Sequence, residues 1–259
     1  MDRNSPGRPW RAIILAAGDG GRLAGAGGAM PKPLVPVAGR PIIEYTLDAA
    51  GGAGIEDVLV VTGYRDDDVR DELATLPRPF GLSFVHNPEY ARGASYSLRA
   101  ARSFAREAPS LLLMSDHLLG AGLLRALIET HASLPAAASL VAADGCERDP
   151  LYTDEATKLV LADGPFPREV TEIGKELAHW DALDCGAFIL DPAAWDTIDS
   201  APADCELSTI FQALAGSGEL LAADASGQPW YDVDTPADLI AASQWLAEHH
   251  DEYAFGFEG

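Results

Sequence analysis

The sequence predicts an α/β protein with a mostly parallel, Rossmann-like central sheet. Three observations carry this prediction. Short apolar runs alternate with amphipathic segments of about ten residues, as they do in βαβ units. The first run, Arg11–Ala17, is followed at once by a glycine-rich loop, Gly18–Gly28. Hydrophobic residues make up 47% of the 259 residues, which is enough for a buried core without disulfides or structural metals.

The first part of the chain reads as strands and helices in alternation. Pro41 occupies a first helical position, and Gly51 follows the apolar pattern that it opens, which predicts a helix between them. The predicted strands are Arg11–Ala17, Asp57–Thr62, Leu82–His86, Ser110–Ser115 and Ser139–Ala143, and the predicted helices are Pro41–Ala50, Asp66–Leu76, Ser95–Arg106 and Ala121–His131.

After Asp144 the pattern changes to short strands separated by turn signals. This part, residues 144–190, is predicted to form a mixed-sheet cap section beside the substrate, within a single domain. Residues 1–10 read as a loose leader and residues 249–259 as a tail. The predicted elements are strands at Ala156–Ala162, Glu169–Ile173, Cys185–Leu190 and Leu220–Ala223, and helices at Pro192–Ile198, Leu207–Ala215 and from Pro236 to about His249.

Composition argues against several classes of protein. A net charge of −22 at pH 7 argues against a nucleic-acid partner or an anionic membrane surface. The three cysteines form no C-x-x-C pair, which argues against a zinc ribbon and favours a reducing, cytoplasmic setting. The N-terminus lacks the apolar core of a signal peptide, and no apolar run reaches the roughly 18 residues of a membrane span.

The glycine loop and the lysine after it form the first candidate site. Backbone N–H groups of such loops bind phosphates, and here Arg22 lies inside the loop. Leu23 stands where a dinucleotide fingerprint needs glycine, and no Gly-Lys-Ser/Thr of a Walker A loop is present. Lys32 lies between two prolines that stiffen the backbone. The alternative is a surface loop with incidental charges, but the combination favours a phosphate site.

Carboxylates follow two predicted strands. Asp116 follows a buried strand, at the position where open α/β sheets bind ligands. Asp232 and Asp234 follow another strand. Two carboxylates from separate strand ends suit Mg²⁺, whose other ligands would be water and phosphate oxygens. The alternative is an N-cap for the helix that begins at Pro236, a role that suits Asp234 or Thr235 better than Asp232.

These motifs resemble those of the sugar-1-phosphate nucleotidyltransferases. The resemblance covers roughly residues 11–248, and its downstream part is most similar to the CTP:inositol-1-phosphate cytidylyltransferases. The chain departs from that pattern at Ala94, where relatives often carry Asn. The motifs are LAAGDGGRL from Leu15, PKPLVPVAGRPIIEYTLD from Pro31, LMSDH from Leu113, EATK ending at Lys158, IGK ending at Lys175, DCGAF from Asp184 and WYDVDTPAD from Trp230.

The resemblance implies a GT-A-like fold and Mg²⁺-dependent transfer of a nucleotide, most often from CTP, to a phosphorylated acceptor such as inositol 1-phosphate. It implies that pyrophosphate leaves and that the partners are these small-molecule substrates. The alternatives are another sugar, cyclitol, choline or phosphonate acceptor, another nucleotide, a non-catalytic ligand-sensing relative, or a Rossmann oxidoreductase. A homodimer is left open.

The resemblance also implies roles for individual residues. Arg22 and Lys32 would act on the phosphates in catalysis, and Lys158 and Lys175, which with Lys32 are the chain's three lysines, would bind the acceptor phosphate. Nucleotide-binding residues would be Leu15, Ala16, Ala17, Gly18, Asp19, Gly20, Gly21, Arg22, Lys32 and Ser95, and the Mg²⁺ ligands Asp116 and Asp232, with Asp234 as second choice.

Overall fold

A nine-stranded sheet forms the centre of the protein. The computed structural model describes residues 9–21, 23, 30–75, 77–146, 153–154 and 156–249. In chain order the strands are β1 Arg11–Ala16, β2 Pro36–Val37, β3 Arg40–Pro41, β4 Asp57–Thr62, β5 Gly81–His86, β6 Ser110–Met114, β7 His117–Leu119, β8 Ser139–Asp144, β9 Lys158–Leu161, β10 Arg168–Gly174, β11 Ala182–Leu190, β12 Leu220–Asp224 and β13 Trp230–Asp232.

Helices cover both faces of this sheet. The helices are α1 Ile42–Gly52, α2 Asp66–Ala74, α3 Ala94–Ala100, α4 Arg102–Ala105, α5 Ala121–Ser133, α6 Ala194–Ser200, α7 Leu207–Gly216 and α8 Pro236–Glu248, with 3₁₀ turns at Lys32–Leu34 and Tyr90–Arg92. The predicted helix at 95–106 is two helices, α3 and α4, which meet at Ala101. In the part of the chain that the structure describes, no helix has the length and apolarity to cross a membrane.

The core lies in two layers, one on each side of the sheet. Successive side chains of a strand point to opposite faces, so Ile13 and Ile14 of β1 belong to different apolar clusters. Ile14 packs with residues of α1 and α5, whereas Ile13 packs with residues of α3, α6 and α7. Both isoleucines are fully buried, which explains why β1 reads as a continuous apolar run rather than an alternating one.

The sheet is mixed, in the order β5-β4-β1-β6-β11-β8-β12-β10-β9. The first four strands in that order are parallel, as predicted, and β8 and β12 are also parallel. Strand β11 lies antiparallel between β6 and β8. The α/β class and the Rossmann-like sheet are therefore confirmed.

The strands of residues 144–190, predicted as a mixed-sheet cap section within the single domain, continue the central sheet and form its mixed part. Strand β11 lies in the middle of the sheet, and β10 and β9 extend its far edge. The reason is burial: eight of the nine residues of β11 are buried, and a strand covered on both faces belongs inside a sheet.

A two-stranded ribbon, β7–β13, was not predicted. Each of its strands has three residues, which is too short for a periodic pattern. The two strands pair antiparallel, and the register places His117 opposite Asp232. The ribbon thereby brings together two parts of the chain that are more than a hundred residues apart.

Candidate active site

A cavity of about 460 Å³ opens beyond the carboxyl ends of β1 and β6, as expected for an open α/β sheet. The glycine loop, the carboxylates and the ends of β10 and α7 all contribute to its wall. The lining residues include Gly18, Asp19, Gly20, Gly21, Leu23, Lys32, Ala94, Asp116, His117, Lys175, Asp184, Gly186, Glu206, Leu207, Ser208, Asp232 and Asp234.

The glycine loop packs directly against Lys32. Gly20 has a φ of +70°, and a Cβ added there would lie 2.9 Å from the Cβ of Lys32, so both conformation and space require glycine. The Asp19 carboxylate accepts a hydrogen bond of 3.1 Å from the Gly21 N–H. The predicted association of loop and lysine is therefore a physical contact, while Arg22 lies outside the described residues.

Four of the predicted nucleotide-binding residues lie behind the cavity wall rather than in it. Leu15, Ala16 and Ala17 are buried at the end of β1, where they support the loop. Ser95 is fully buried, and its hydroxyl donates a 2.9 Å hydrogen bond to the carbonyl of Ala203. A direct contact of their side chains with nucleotide therefore remains a prediction from the motif alone.

Lys32 forms ion pairs with two carboxylates of the cavity. Its Nζ lies 2.6 Å from Oδ1 of Asp234 and also contacts Oδ2 of Asp116. Burial by itself would lower the pKa of Lys32, but the two carboxylates raise it above its ordinary value. Burial would likewise raise the pKa of Asp116, but the ammonium of Lys32 and the ring of His117 hold it well below its usual range. This ion pair was not predicted, because the sequence shows no relation between the two motifs.

Asp116, His117 and Asp232 form a compact group of candidate metal ligands. One ligand atom from each lies within 4.8 Å of the others. Nδ1 of His117 lies 2.9 Å from Oδ1 of Asp116 and 3.5 Å from Oδ1 of Asp232. Two carboxylates side by side supply the oxygen ligands that Mg²⁺ prefers, so the donor set fits this ion. The carboxylate of Asp234, the second-choice ligand, is directed to Lys32 instead.

Burial and like charges shift the titration of this group. Burial raises the pKa of Asp232 to about 6, assisted by the charges of Asp116 and Asp234. Burial also raises the pKa of Asp184 to about 6. Burial would lower the pKa of His117, but Asp232 and Asp116 raise it to about 9. Such a concentration of negative charge is what a divalent cation would compensate.

Gly186 in β11 is part of the site because His117 packs against its Cα. Gly186 has a φ of +75°, and an added Cβ would overlap the imidazole ring of His117. Its N–H donates a 2.8 Å hydrogen bond to Oδ1 of Asp184, which also lines the cavity. The sequence places Gly186 in the DCGAF motif but gives no reason for glycine there. The reason is the close approach of the ring.

We expect Gly186→Ala to lower the free energy of unfolding by about 2–4 kcal/mol, since the new methyl group must displace His117 and the backbone is strained as well. Gly227→Ala is the matched control, because Gly227 has a φ of +78° but open space around an added Cβ. It should cost about 1 kcal/mol. Urea unfolding monitored by circular dichroism measures both values. Equal losses of unfolding free energy in the two variants would show that the packing of His117 does not require glycine at position 186.

The two predicted acceptor lysines occupy different environments. Lys175 is exposed, directly follows β10 and lines the cavity, and its contact with the acceptor remains a prediction. Lys158 is buried, and its Nζ donates a 2.7 Å hydrogen bond to the carbonyl of Lys175. The structure therefore corrects the prediction for Lys158. The ammonium of Lys158 is directed to the backbone carbonyls of Asp154 and Lys175, where it holds the chain at Lys175.

The first turn of α7 also lines the cavity, through Glu206, Leu207 and Ser208. No motif in the sequence singled out these residues. Beneath them, the rings of Phe188 and Phe211 stack with their centroids 4.0 Å apart. The cavity therefore has polar groups at its rim and an aromatic pair in its wall.

Comparisons with known proteins agree with this geometry. The chain is 34% identical over 250 residues to a bifunctional IPC transferase and DIPP synthase of Rubrobacter xylanophilus, a match that covers 93% of this chain and 53% of the relative. The inositol-1-phosphate CTP transferase from T. maritima superposes with a TM-score of 0.75 at 21% identity, covering 93% of this chain and 97% of that one. UDP-glucose pyrophosphorylase complexed with UDP-glucose superposes with a TM-score of 0.79 at 16% identity, covering 93% and 100%.

A glycine loop, a lysine and paired carboxylates at the strand ends of an α/β sheet define the class of this protein as a nucleotidyltransferase. The family described as the MobA-like NTP transferase domain matches residues 12–179, and the chain belongs to that family. The resemblance predicted from the motifs is thereby confirmed. The chain spans about half the length of the bifunctional relatives that it matches.

Proposed function

We propose that this chain transfers a cytidylyl group from CTP to a phosphorylated cyclitol, inositol 1-phosphate, and releases pyrophosphate. One observation carries the proposal: a single cavity holds the glycine loop with Lys32 and also Lys175. Phosphate-binding groups for two anionic substrates are thus present in one site. The name of a structural neighbour that covers 93% of the chain, the inositol-1-phosphate CTP transferase from T. maritima, supports CTP and inositol 1-phosphate as the pair.

In the proposed reaction, an oxygen of the acceptor phosphate attacks the α-phosphorus of the nucleotide. A new P–O bond forms as the bond from the α-phosphorus to the leaving pyrophosphate breaks, and both electrons of the broken bond go to pyrophosphate. Backbone N–H groups of the glycine loop would hold the nucleotide phosphates. Lys175 would orient the acceptor phosphate, and Arg22 would contact the leaving phosphates. Orientation and charge stabilisation supply the rate, because no covalent intermediate is needed.

Asp116 and Asp232 are the residues that would hold Mg²⁺. When bound, the ion would neutralise phosphate charge that a chain of net charge −22 would otherwise repel. Lys32 adds a protein cation beside these carboxylates and would stabilise the charge that develops on the phosphates.

A pyrophosphate-release screen tests the proposal. The four nucleoside triphosphates are each combined, with Mg²⁺, with inositol 1-phosphate, glucose 1-phosphate, phosphocholine and an aminoalkyl phosphonate. We expect release with CTP and inositol 1-phosphate to exceed every other pair at least tenfold. A faster pair would assign a different substrate, and no release with any pair would indicate a ligand-sensing relative.

The two lysines of the acceptor side should behave differently when replaced. Lys175→Ala should raise the KM for the acceptor by about 10- to 100-fold without changing thermal stability, since a hydrogen bond to a charged group contributes about 1.5–3 kcal/mol. Lys158→Ala should lower the unfolding temperature, because the carbonyl groups that accept from its ammonium lose a buried donor. Acceptor kinetics and thermal unfolding of both variants distinguish a lysine that binds the acceptor from one that stabilises the fold. An unchanged acceptor KM in Lys175→Ala would remove Lys175 from the site.

A further inference from the structure

Arg99 of α3 binds the backbone of the segment that leads into α7. One of its terminal nitrogens, Nη2, donates hydrogen bonds of 3.0, 2.9 and 3.1 Å to the carbonyls of Ile198, Ala201 and Pro202. The other, Nη1, donates a 3.1 Å bond to the carbonyl of Ala203. The guanidinium thus binds one carbonyl in the last turn of α6, that of Ile198, and three carbonyls of the segment that follows the helix.

Other side chains of the same region attach to this segment. The hydroxyl of Ser95 also donates to the carbonyl of Ala203, and the hydroxyl of Tyr96 donates a 2.7 Å bond to Oδ1 of Asp204. Asp204 is exposed, whereas Ser95 is buried. Helix α3 therefore holds residues 201–204 at several points along its length, and among its side chains Arg99 makes the largest number of these bonds.

This segment continues into the part of α7 that faces the cavity. Helix α7 runs antiparallel to β10: Gly218, just beyond its end, lies near Glu169, while Gln212 accepts a 2.9 Å bond from the N–H of Ile173. The first turn of α7 must therefore lie at the end of β10 that leads to Lys175. Glu206 and Ser208 share the cavity with that lysine.

We propose that Arg99 is a positioning residue for the acceptor: it fixes residues 201–203, and through them the start of α7, so that Glu206 and Ser208 face the acceptor bound at Lys175. This inference rests on the proposed function and deepens it. A carboxylate and a hydroxyl beside a phosphate-binding lysine suit an acceptor that carries neutral hydroxyl groups, such as a phosphorylated polyol. An arginine is required because its planar fork reaches carbonyls on two sides, which a single ammonium group does not.

The test compares Arg99→Ala and Arg99→Lys in the full chain, with Arg102→Ala as the control. Arg102 also attaches to α6, by an ion pair with Asp199, but it bonds to none of the four carbonyls. We expect Arg99→Ala to raise the acceptor KM about tenfold or more, while the CTP KM changes less than about threefold. The acceptor KM of Arg99→Lys should lie between those of Arg99→Ala and the wild type. Amide hydrogen exchange of residues 201–208 should become faster in the same order. Arg102→Ala should leave both KM values unchanged.

Several outcomes would overturn the proposal. These are an equal rise of both KM values, an unchanged acceptor KM, or the same effect in Arg102→Ala. If Arg99→Ala does not fold, Arg99→Lys tests the proposal by the same comparison, the change in the acceptor KM relative to the change in the CTP KM. A wild-type chain that does not use CTP and inositol 1-phosphate contradicts the proposed function instead. The two KM values of each variant are then compared on the substrate pair that the screen identifies. If no pair reacts, unchanged hydrogen exchange of residues 201–208 in Arg99→Lys overturns the role of Arg99.

Discussion

Asp116→Asn should lower kcat by about 10²-fold or more while the protein stays folded. Asparagine keeps the shape of the side chain but removes the negative charge that lies next to Lys32, His117 and Asp232. The remaining carboxylate of Asp232 should bind Mg²⁺ more weakly, so the Mg²⁺ concentration for half-maximal rate should rise in the variant. Initial rates of pyrophosphate release over a range of Mg²⁺ concentrations measure both effects.

Asp224→Asn serves as the control for this experiment. Asp224 also ends a strand of the sheet, β12, but it is exposed and does not line the cavity. Its variant should have wild-type rates at every Mg²⁺ concentration. Near-normal turnover of Asp116→Asn at ordinary Mg²⁺ would exclude Asp116 from the catalytic group and leave its contact with Lys32 as its role.

Lys32→Ala should have an effect of similar size, but of a different kind. We expect kcat to fall by about 10²- to 10³-fold with a smaller change in the KM for CTP, because the ammonium binds most strongly to the phosphate charge that develops during transfer. Lys32→Arg should not restore the rate, since a planar guanidinium is larger than the ammonium that lies between the carboxylates of Asp116 and Asp234. Steady-state kinetics with varied CTP separate the two parameters.

The alternative outcome for Lys32 is equally specific. If the KM for CTP rises and kcat is unchanged, Lys32 contributes equally to the ground state and the transition state and only anchors the nucleotide. Thermal unfolding is the accompanying control, because removal of the ammonium also leaves the carboxylates of Asp116 and Asp234 without this cation. A rate loss explained by an unfolded fraction would contradict the proposed role.

The sequence predicted those parts of the site that depend on neighbouring residues in the chain. The glycine loop and Asp116 each follow an apolar strand directly, and parallel strands end at one edge of a sheet, so their approach could be expected. Asp232 was predicted from a motif. Its contact with His117 depends on the register of the ribbon β7–β13, which is too short to be seen in the sequence.

The errors concern side-chain direction and distant pairing. A lysine in a strand faces one side or the other according to the register, and the buried ammonium of Lys158 bonds to the backbone carbonyl of Lys175. Strand β11 was predicted near its observed position, but not its place between β6 and β8, because sequence order does not determine strand order. The contribution of Glu206 and Ser208 depends on the same long-range arrangement.

The position of β11 bears on how the protein folds. Until β11 has been synthesised, β6 offers an open edge and the first four parallel strands have no link to β8 and β12 through the sheet. The MobA-like match ends at residue 179, just before this strand. The late strand that closes the edge also carries Gly186, against which His117 packs. Strand β11 therefore joins the part of the sheet that leads to the glycine loop and Asp116 to the part that leads to Lys175, and a nascent chain that stops short of β11 would expose the edge of β6 and lack the contact between Gly186 and His117.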